Sequence, residues 1–315
     1  MPDAIAAMKS ALAALSAGQV RMPVRTHIDF PERSGTTLVM PACVRTAGQE
    51  ALAVKVVSVF ANNPDRDLPR IMAAVTVYDA STGQLLALLE GTTITAIRTA
   101  AASAAATDIL ARPDSRTLAV IGAGVQARSH IQAVQCVRPL ERILLCSRTR
   151  ASSQQLAGEL ARQNPDGPPV EVVEEADDAV ALADIVCTVT TATRPLFDAG
   201  AVRPGTHLNA VGSYQPHVVE IPEETVRQAK VWVDHRESAL QEAGDLIQPL
   251  RSGTIDPGHV LGEIGEVLLE QQPGRTAGTD ITLFKSVGNA AEDCLAAATA
   301  LARAGTLDLG TRLPW

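Results

Sequence analysis

The sequence predicts an α/β protein, in which a doubly wound parallel sheet is joined to a discontinuous α+β unit. Three observations carry this. Residues 18–90 hold β-like runs joined by short loops. From residue 116 the rhythm changes to strands alternating with helical segments. The chain is 46% hydrophobic but only 3% aromatic, and an interior of Ala, Val and Leu suits parallel strands covered by Ala-rich helices.

Taken in order, residues 1–17 read as an amphipathic helix. Ile5, Met8, Leu12 and Leu15 recur near helical spacing, with Asp3 as N-cap. The β-like runs are "VRTHIDF", "TTLVMPA", "ALAVKVVSVF", "IMAAVTVYD" and "QLLALLE". The last two flank Ala80-Ser81-Thr82-Gly83, a hairpin turn. Alternating runs with short loops predict an antiparallel or mixed sheet. Residues 92–111 read as one long helix, capped by Thr92, Thr93 or Thr95 and ended before Pro113. Candidate strands of the second region are "TLAVIG", "RILLCS", "VEVV", "DIVCTVT", "HLNAVG" and "KVWVD". Helical segments such as 125–137, 151–163 and 222–229 lie between several of them. The end, "AAEDCLAAATALARAG", is a helix with Gly305 as its stop, able to pack back on the first region. Residues 1–114 with 290–315 are therefore expected to form one unit, and residues 115–289 the other.

A net charge of −8 argues against non-specific nucleic-acid binding. No apolar run is long enough to span a membrane, and "SAAATDILA" is broken by Asp108. The start lacks a basic segment followed by an apolar run, so a cytoplasmic protein is expected. Cys43, Cys136, Cys146, Cys187 and Cys294 form no CxxC pair. They read as free thiols in a reducing compartment, and no metal site is expected.

Gly122-Ala123-Gly124-Val125-Gln126-Ala127 is a GxGxxA string that follows an apolar strand and opens a helix, the setting of a Rossmann dinucleotide site. Gly122 permits the tight turn, Gly124 lets the backbone approach a diphosphate, and Ala127 allows helix to pack on strand. The next strand ends in Ser147-Arg148-Thr149 rather than in an acid. A carboxylate there would repel a 2′-phosphate, whereas these residues can bind one. NADP(H) is therefore preferred, with NAD(H) the alternative. Thr190, Val211 and Gly212, at the ends of two further strands, are assigned to the cofactor as well.

Arg25, Lys55 and Arg98 each sit in an apolar context. A buried cation needs an anion. An internal carboxylate, a snorkelling side chain or an anionic substrate would each satisfy these three. Neither Lys55 nor Arg98 has an acidic neighbour in sequence.

Met40-Pro41, Lys55 in "AVKVV", "TAIRTAAASA", "GAGVQARSH", "SRT", "HLNAVGSYQPHVVEI", "EAGDL" and "GTDITLFKSVGNAAED" occur in this order. Together they resemble the ornithine cyclodeaminase/mu-crystallin family over almost the whole chain. The resemblance implies a homodimer of two-domain subunits, with the discontinuous unit binding substrate and building the dimer. It implies that Arg25, Lys55 and Arg98 hold a substrate carboxylate beside the nicotinamide. On that reading Lys55 and Arg98 are unpaired without substrate. Removing either is then expected to leave stability unchanged or higher. Lys55, pressed between arginines, is expected to have a lowered pKa and to serve as proton donor, with Tyr214 a second candidate. Ornithine cyclodeaminases carry an Asp in a "GGD" string where this chain has Gly212-Ser213-Tyr214. A neutral phenol cannot replace that carboxylate, so the string looks like those of the family's reductases. The expected function is NAD(P)H-dependent reduction of a small anionic, cyclic 2-imino acid. Δ1-pyrroline-2-carboxylate, giving proline, comes first, and Δ1-piperideine-2-carboxylate, giving pipecolate, second. Ornithine cyclodeaminase, alanine dehydrogenase and a cofactor-dependent binding protein are the alternatives.

Overall fold

The computed structural model describes residues 1–313; the last two residues of the expected segment 290–315 lie outside it. Helix α1 (Pro2–Ser16) opens the chain. Met1 takes its cap position, and Asp3 stands in the first turn instead of capping, where its charge still meets the positive helix end. An antiparallel sheet follows, built from β1 (Val20–Arg21), β2 (Thr26–Phe30), β3 (Gly35–Arg45), β4 (Glu50–Phe60), β5 (Ile71–Tyr78) and β6 (Leu85–Glu90). Its order is β1-β3-β4-β5-β6, with β2 also on β3. The expected hairpin turn falls between β5 and β6, with Gly83 at φ +75°. Along β4, Ala51, Ala53, Lys55 and Val57 all point to the buried face. The period of two thus puts a lysine where its neighbours are core.

Helix α2 (Gly91–Leu110) is capped by Glu90, which accepts from the N–H groups of Thr92 and Thr93; none of the expected threonines does this. Ala100–Ala102 and Ala104–Ala106 are fully buried. The helix packs on β5 and, across the chain, on β11 and β14 of the second sheet. Methyl-sized side chains on all sides let it run between the two sheets.

The second sheet contains β7 (Thr117–Ile121), β8 (Arg142–Cys146), β9 (Val170–Val172), β10 (Ile185–Thr188), β11 (His207–Ala210), β12 (Lys230–Val233), β13 (Val260–Glu263) and β14 (Thr282–Lys285). It is parallel throughout, in the order β13-β12-β14-β11-β10-β7-β8-β9. Helices α3 (Val125–Gln135), α4 (Arg150–Gln163), α5 (Ala176–Leu182), α6 (Glu223–Gln228), α7 (Arg236–Glu242), α8 (Gly244–Ser252) and α9 (Ile264–Leu268) occupy its connections. Helix α10 (Ala290–Thr306) then returns to pack on α1, β3 and β4. It runs through Gly305, and the left-handed residue beyond it is Asp308, at φ 51°. Among the described residues no helix is long and apolar enough to cross a membrane.

Candidate active site

The residues assigned to a cofactor gather at the carboxyl ends of four neighbouring strands, in the order β8-β7-β10-β11. Gly122 has φ +122°, and a Cβ there would lie 2.8 Å from the carbonyl oxygen of Val189, so the turn admits only glycine. Gly124 caps α3 without a side-chain hydrogen bond, and a Cβ on it would meet nothing within 4 Å. The N–H groups of Val125, Gln126 and Ala127 find no acceptor among the described residues. Val125 is exposed, and Gln126 Oε1 is buried without a partner. Ala127 is fully buried. Open space over unpaired donors at a positive helix end fits a dinucleotide diphosphate.

At the end of β8 the three expected residues differ in their freedom. Ser147 Oγ donates to the carbonyl of Thr149 and meets Ser153 Oγ at 2.7 Å. Thr149 Oγ1 meets Ser152 Oγ at 2.7 Å. Arg148 is exposed and takes part in no hydrogen bond or ion pair among the described residues, while Arg150 pairs with Glu174. On the other side of β7, the hydroxyl and N–H of Thr190 and the N–H of Gly212 are held by the buried Glu220. Val211 N–H donates to the carbonyl of Thr188.

The cations are not unpaired. Lys55 Nζ lies 2.5 Å from Asp293 Oδ2. Arg98 donates through Nε to Asp293 Oδ1 at 2.9 Å and through Nη1 to Glu292 Oε2 at 2.8 Å. Arg25 donates to Glu242 at 2.5 Å and to the carbonyl of Gly288 at 3.0 Å. The partners of Lys55 and Arg98 come from the first turn of α10, which Asn289 caps by accepting from Ala291 and Glu292. The expectation that Lys55 and Arg98 lack an anion is thereby corrected: the returning helix supplies it. Gly288, at φ +74°, lies so close to Arg98 that a Cβ would come within 2.5 Å of Nη1. The loop carrying it is fixed by Asp234, which accepts from Ser286 Oγ, Val287 N–H and Gly288 N–H. A cleft lined by Met22, Arg25, Met40, Glu242 and Gly288 opens beside the cluster.

Burial pushes Lys55 down to about 8, and Arg98 and Arg25 push the same way against the pull of Asp293. Burial pushes Glu292 up to about 8, opposed by Arg98. Burial also works against the Asp293 anion, but Arg98 and Lys55 more than offset it and its pKa is lowered. Tyr214, beside Arg70 and Arg25, is raised by burial despite those cations. Its phenol is thus a weaker acid than usual, whereas Lys55 holds a proton that it can release near neutrality. Sequence reasoning missed Glu292, Asp293, Glu242, Asp234 and Glu220 as members of the site. The signal was present for Glu220, an acid inside the apolar "VVEI".

Residues 1–305 match the sequence profile of the ornithine cyclodeaminase/mu-crystallin family. The chain belongs to that family. A Δ1-pyrroline-2-carboxylate reductase of Bacillus cereus is 37% identical over 314 residues, which cover 99% of this chain and 95% of the relative. The mouse ketimine reductase mu-crystallin is 37% identical over 293 residues, covering 92% and 88%. The Δ1-pyrroline-2-carboxylate reductase of Thermococcus litoralis, solved with NADH and L-proline, superposes with a TM-score of 0.94 at 40% identity, covering 98% and 95%.

Proposed function

We propose that this protein is an NAD(P)H-dependent reductase of small cyclic 2-imino acids, with Δ1-pyrroline-2-carboxylate the leading substrate. One observation carries the reading. The buried Lys55–Arg98 cluster stands against the loop after β14, next to the strand whose end helps form the cradle. The two reductases of B. cereus and T. litoralis and the mouse ketimine reductase support the same chemistry. Gly122 and Gly124 with the first turn of α3 hold the dinucleotide. When bound, the reduced nicotinamide supplies hydride for the imine carbon. Arg25 and Arg98 take the substrate carboxylate and orient the ring. Lys55 Nζ holds the proton that the imine nitrogen needs, whereas Tyr214 is exposed and does not line the cleft. Because Tyr214 stands where cyclodeaminases carry an acid, ornithine is not a substrate.

Absorbance of NADPH and NADH during turnover of five- and six-membered cyclic imino acids, 2-oxo acids and L-ornithine tests this. Imine reduction faster than every other reaction is expected. Faster oxidation of L-alanine, or ammonia release from ornithine at a rival rate, would overturn it. Tight NADPH binding without turnover would favour a binding protein instead.

Two finer points belong to the same reading. NADP(H) is preferred to NAD(H), because Arg148 is the cation free to meet a 2′-phosphate. The protein is a homodimer through the outer face of the antiparallel sheet, where Val56, Met72, Leu86 and Leu88 are exposed. Light scattering at micromolar concentration that gives a monomer mass would refute the dimer.

A further inference from the structure

Beneath the cradle lies a carboxylate that the glycine string does not explain. Glu220 is fully buried. Its Oε1 accepts from Thr190 N–H at 2.7 Å and Thr190 Oγ1 at 2.6 Å. Its Oε2 accepts from Thr188 Oγ1 at 2.9 Å and Gly212 N–H at 2.7 Å. These donors come from the ends of β10 and β11, which are adjacent. The carboxylate is itself anchored. The N–H groups of Glu220 and Ile221 donate to Asp245 Oδ1 at 2.7 and 3.0 Å, and Lys285 Nζ from the end of β14 donates to Asp245 Oδ2 at 2.9 Å. Gly212 is interlocked with the same group, since a Cβ there would lie 2.5 Å from Glu220 Oε1 and 2.3 Å from Thr190 O.

A buried carboxylate is tolerated only when its oxygens are filled with donors, and charge-assisted bonds of this kind are among the stronger ones. Here the donors lie at strand ends that bound the crevice where an open parallel sheet takes its dinucleotide. Strand order assigns the halves of that ligand. Arg148 lies beyond β8, on one side of Gly122; Thr190 and Gly212 lie beyond β10 and β11, on the other. The loop bearing Gly288, which packs against Arg98, follows β14, one strand further on.

We propose that Glu220 is a positioning residue. It clamps the 188–190 and 212 segments together in the geometry that receives the nicotinamide half of the cofactor, and has no part in holding the adenosine half. The proposal rests on the cradle being a dinucleotide site.

Glu220→Gln keeps the shape but sets an amide donor against donors. Fluorescence titration should give a Kd for NAD(P)H raised about tenfold or more, the loss of a charge-assisted contact. The Kd of ADP, which occupies only the adenosine and diphosphate positions, should stay within about twofold. Thr188→Val removes one donor from within the strand and should give the same pattern at about threefold, which covers the case where the glutamine variant does not fold. Unchanged NAD(P)H affinity with only a lowered Tm would make Glu220 purely structural. Equal weakening of NAD(P)H and ADP would mean a general loosening. Both results overturn the proposal. Failure of ADP and NAD(P)H to bind the unaltered protein would instead overturn the cradle itself.

Discussion

Replacing Arg98 by methionine removes the counter-ion of two buried carboxylates at once. Arg98 lies 2.8 Å from Glu292 and 2.9 Å from Asp293, and both acids are essentially inaccessible to water. Lys55 remains for Asp293, but among the described residues Glu292 has only Arg98 as a cation within contact distance. Where Glu292 is ionised, breaking its buried pair from one side costs about 3–5 kcal/mol, because a charge stays behind. At roughly 2 °C per kcal/mol for a chain of this size, Tm should fall by about 6–10 °C. The loss should depend on pH, with a definite sign. The folded pKa of Glu292, about 8, lies above its ordinary value near 4.5, so the fold favours the protonated acid. Its contribution is fully present below about pH 4.5 and disappears as pH rises through about 8. Without Arg98 the folded pKa rises further, so the decline continues above pH 8, where it levels off in the unaltered protein. The gap in Tm between variant and unaltered protein should therefore be small at pH 6.5 and wide at pH 9.5. Thermal unfolding followed by circular dichroism at both pH values measures it. A gap that is absent, constant, or wider at the acid end would refute the reasoning.

Loss of the Lys55 proton should make kcat/KM fall as pH rises through about 8, and Lys55→Met should lower the plateau by about a hundredfold or more while leaving the Kd of NADPH within about threefold. A pH profile without that alkaline limb would remove Lys55 as the donor. Arg148→Ala should cut the preference for NADPH over NADH by about tenfold with little change for NADH, read by titration. Equal affinities in the unaltered protein would end the claim. Gly288→Ala forces a Cβ into Arg98 at a positive φ, so the KM for the imino acid should rise and stability should fall by about 1–2 kcal/mol. Unchanged kinetics would show that Arg98 does not meet substrate.

Much of the framework was legible because local patterns report local structure. Alternation along β3–β6 and the strand–helix rhythm from Thr117 both follow from periodicity, and Gly122–Ala127 lay where a strand–turn–helix was expected. Strand β14 escaped notice, although it is central, because it is short and ends in a buried charge, Lys285. The cap of α2 was assigned to a hydroxyl residue when the longer side chain of Glu90 reaches both N–H groups. In the site, the cations were visible as charges inside apolar runs. Their partners were not, because Glu292 and Asp293 stand 194 and 195 residues beyond Arg98 and meet it only through tertiary packing. The test that singled out Lys55 applies equally to Glu220 in "VVEI" and Lys285 in "TLFK", and would have found both.

The returning helix α10 also sets an order of assembly during synthesis. Lys55 and Arg98 are made early, whereas the acids that neutralise them arrive with the last helix. Until then Lys55 of β4 and Arg98 of α2 lack those acids, and β3 and β4 lack the face of α10 that packs on them. The parallel sheet has no such debt: its last strand, β14, precedes α10. A nascent chain is therefore expected to complete its parallel-sheet half first, keeping the antiparallel half open until residue 290 and beyond have emerged. A chain cut before Ala290 should show this, with protease cleaving residues 20–90 while the region from Thr117 onward resists.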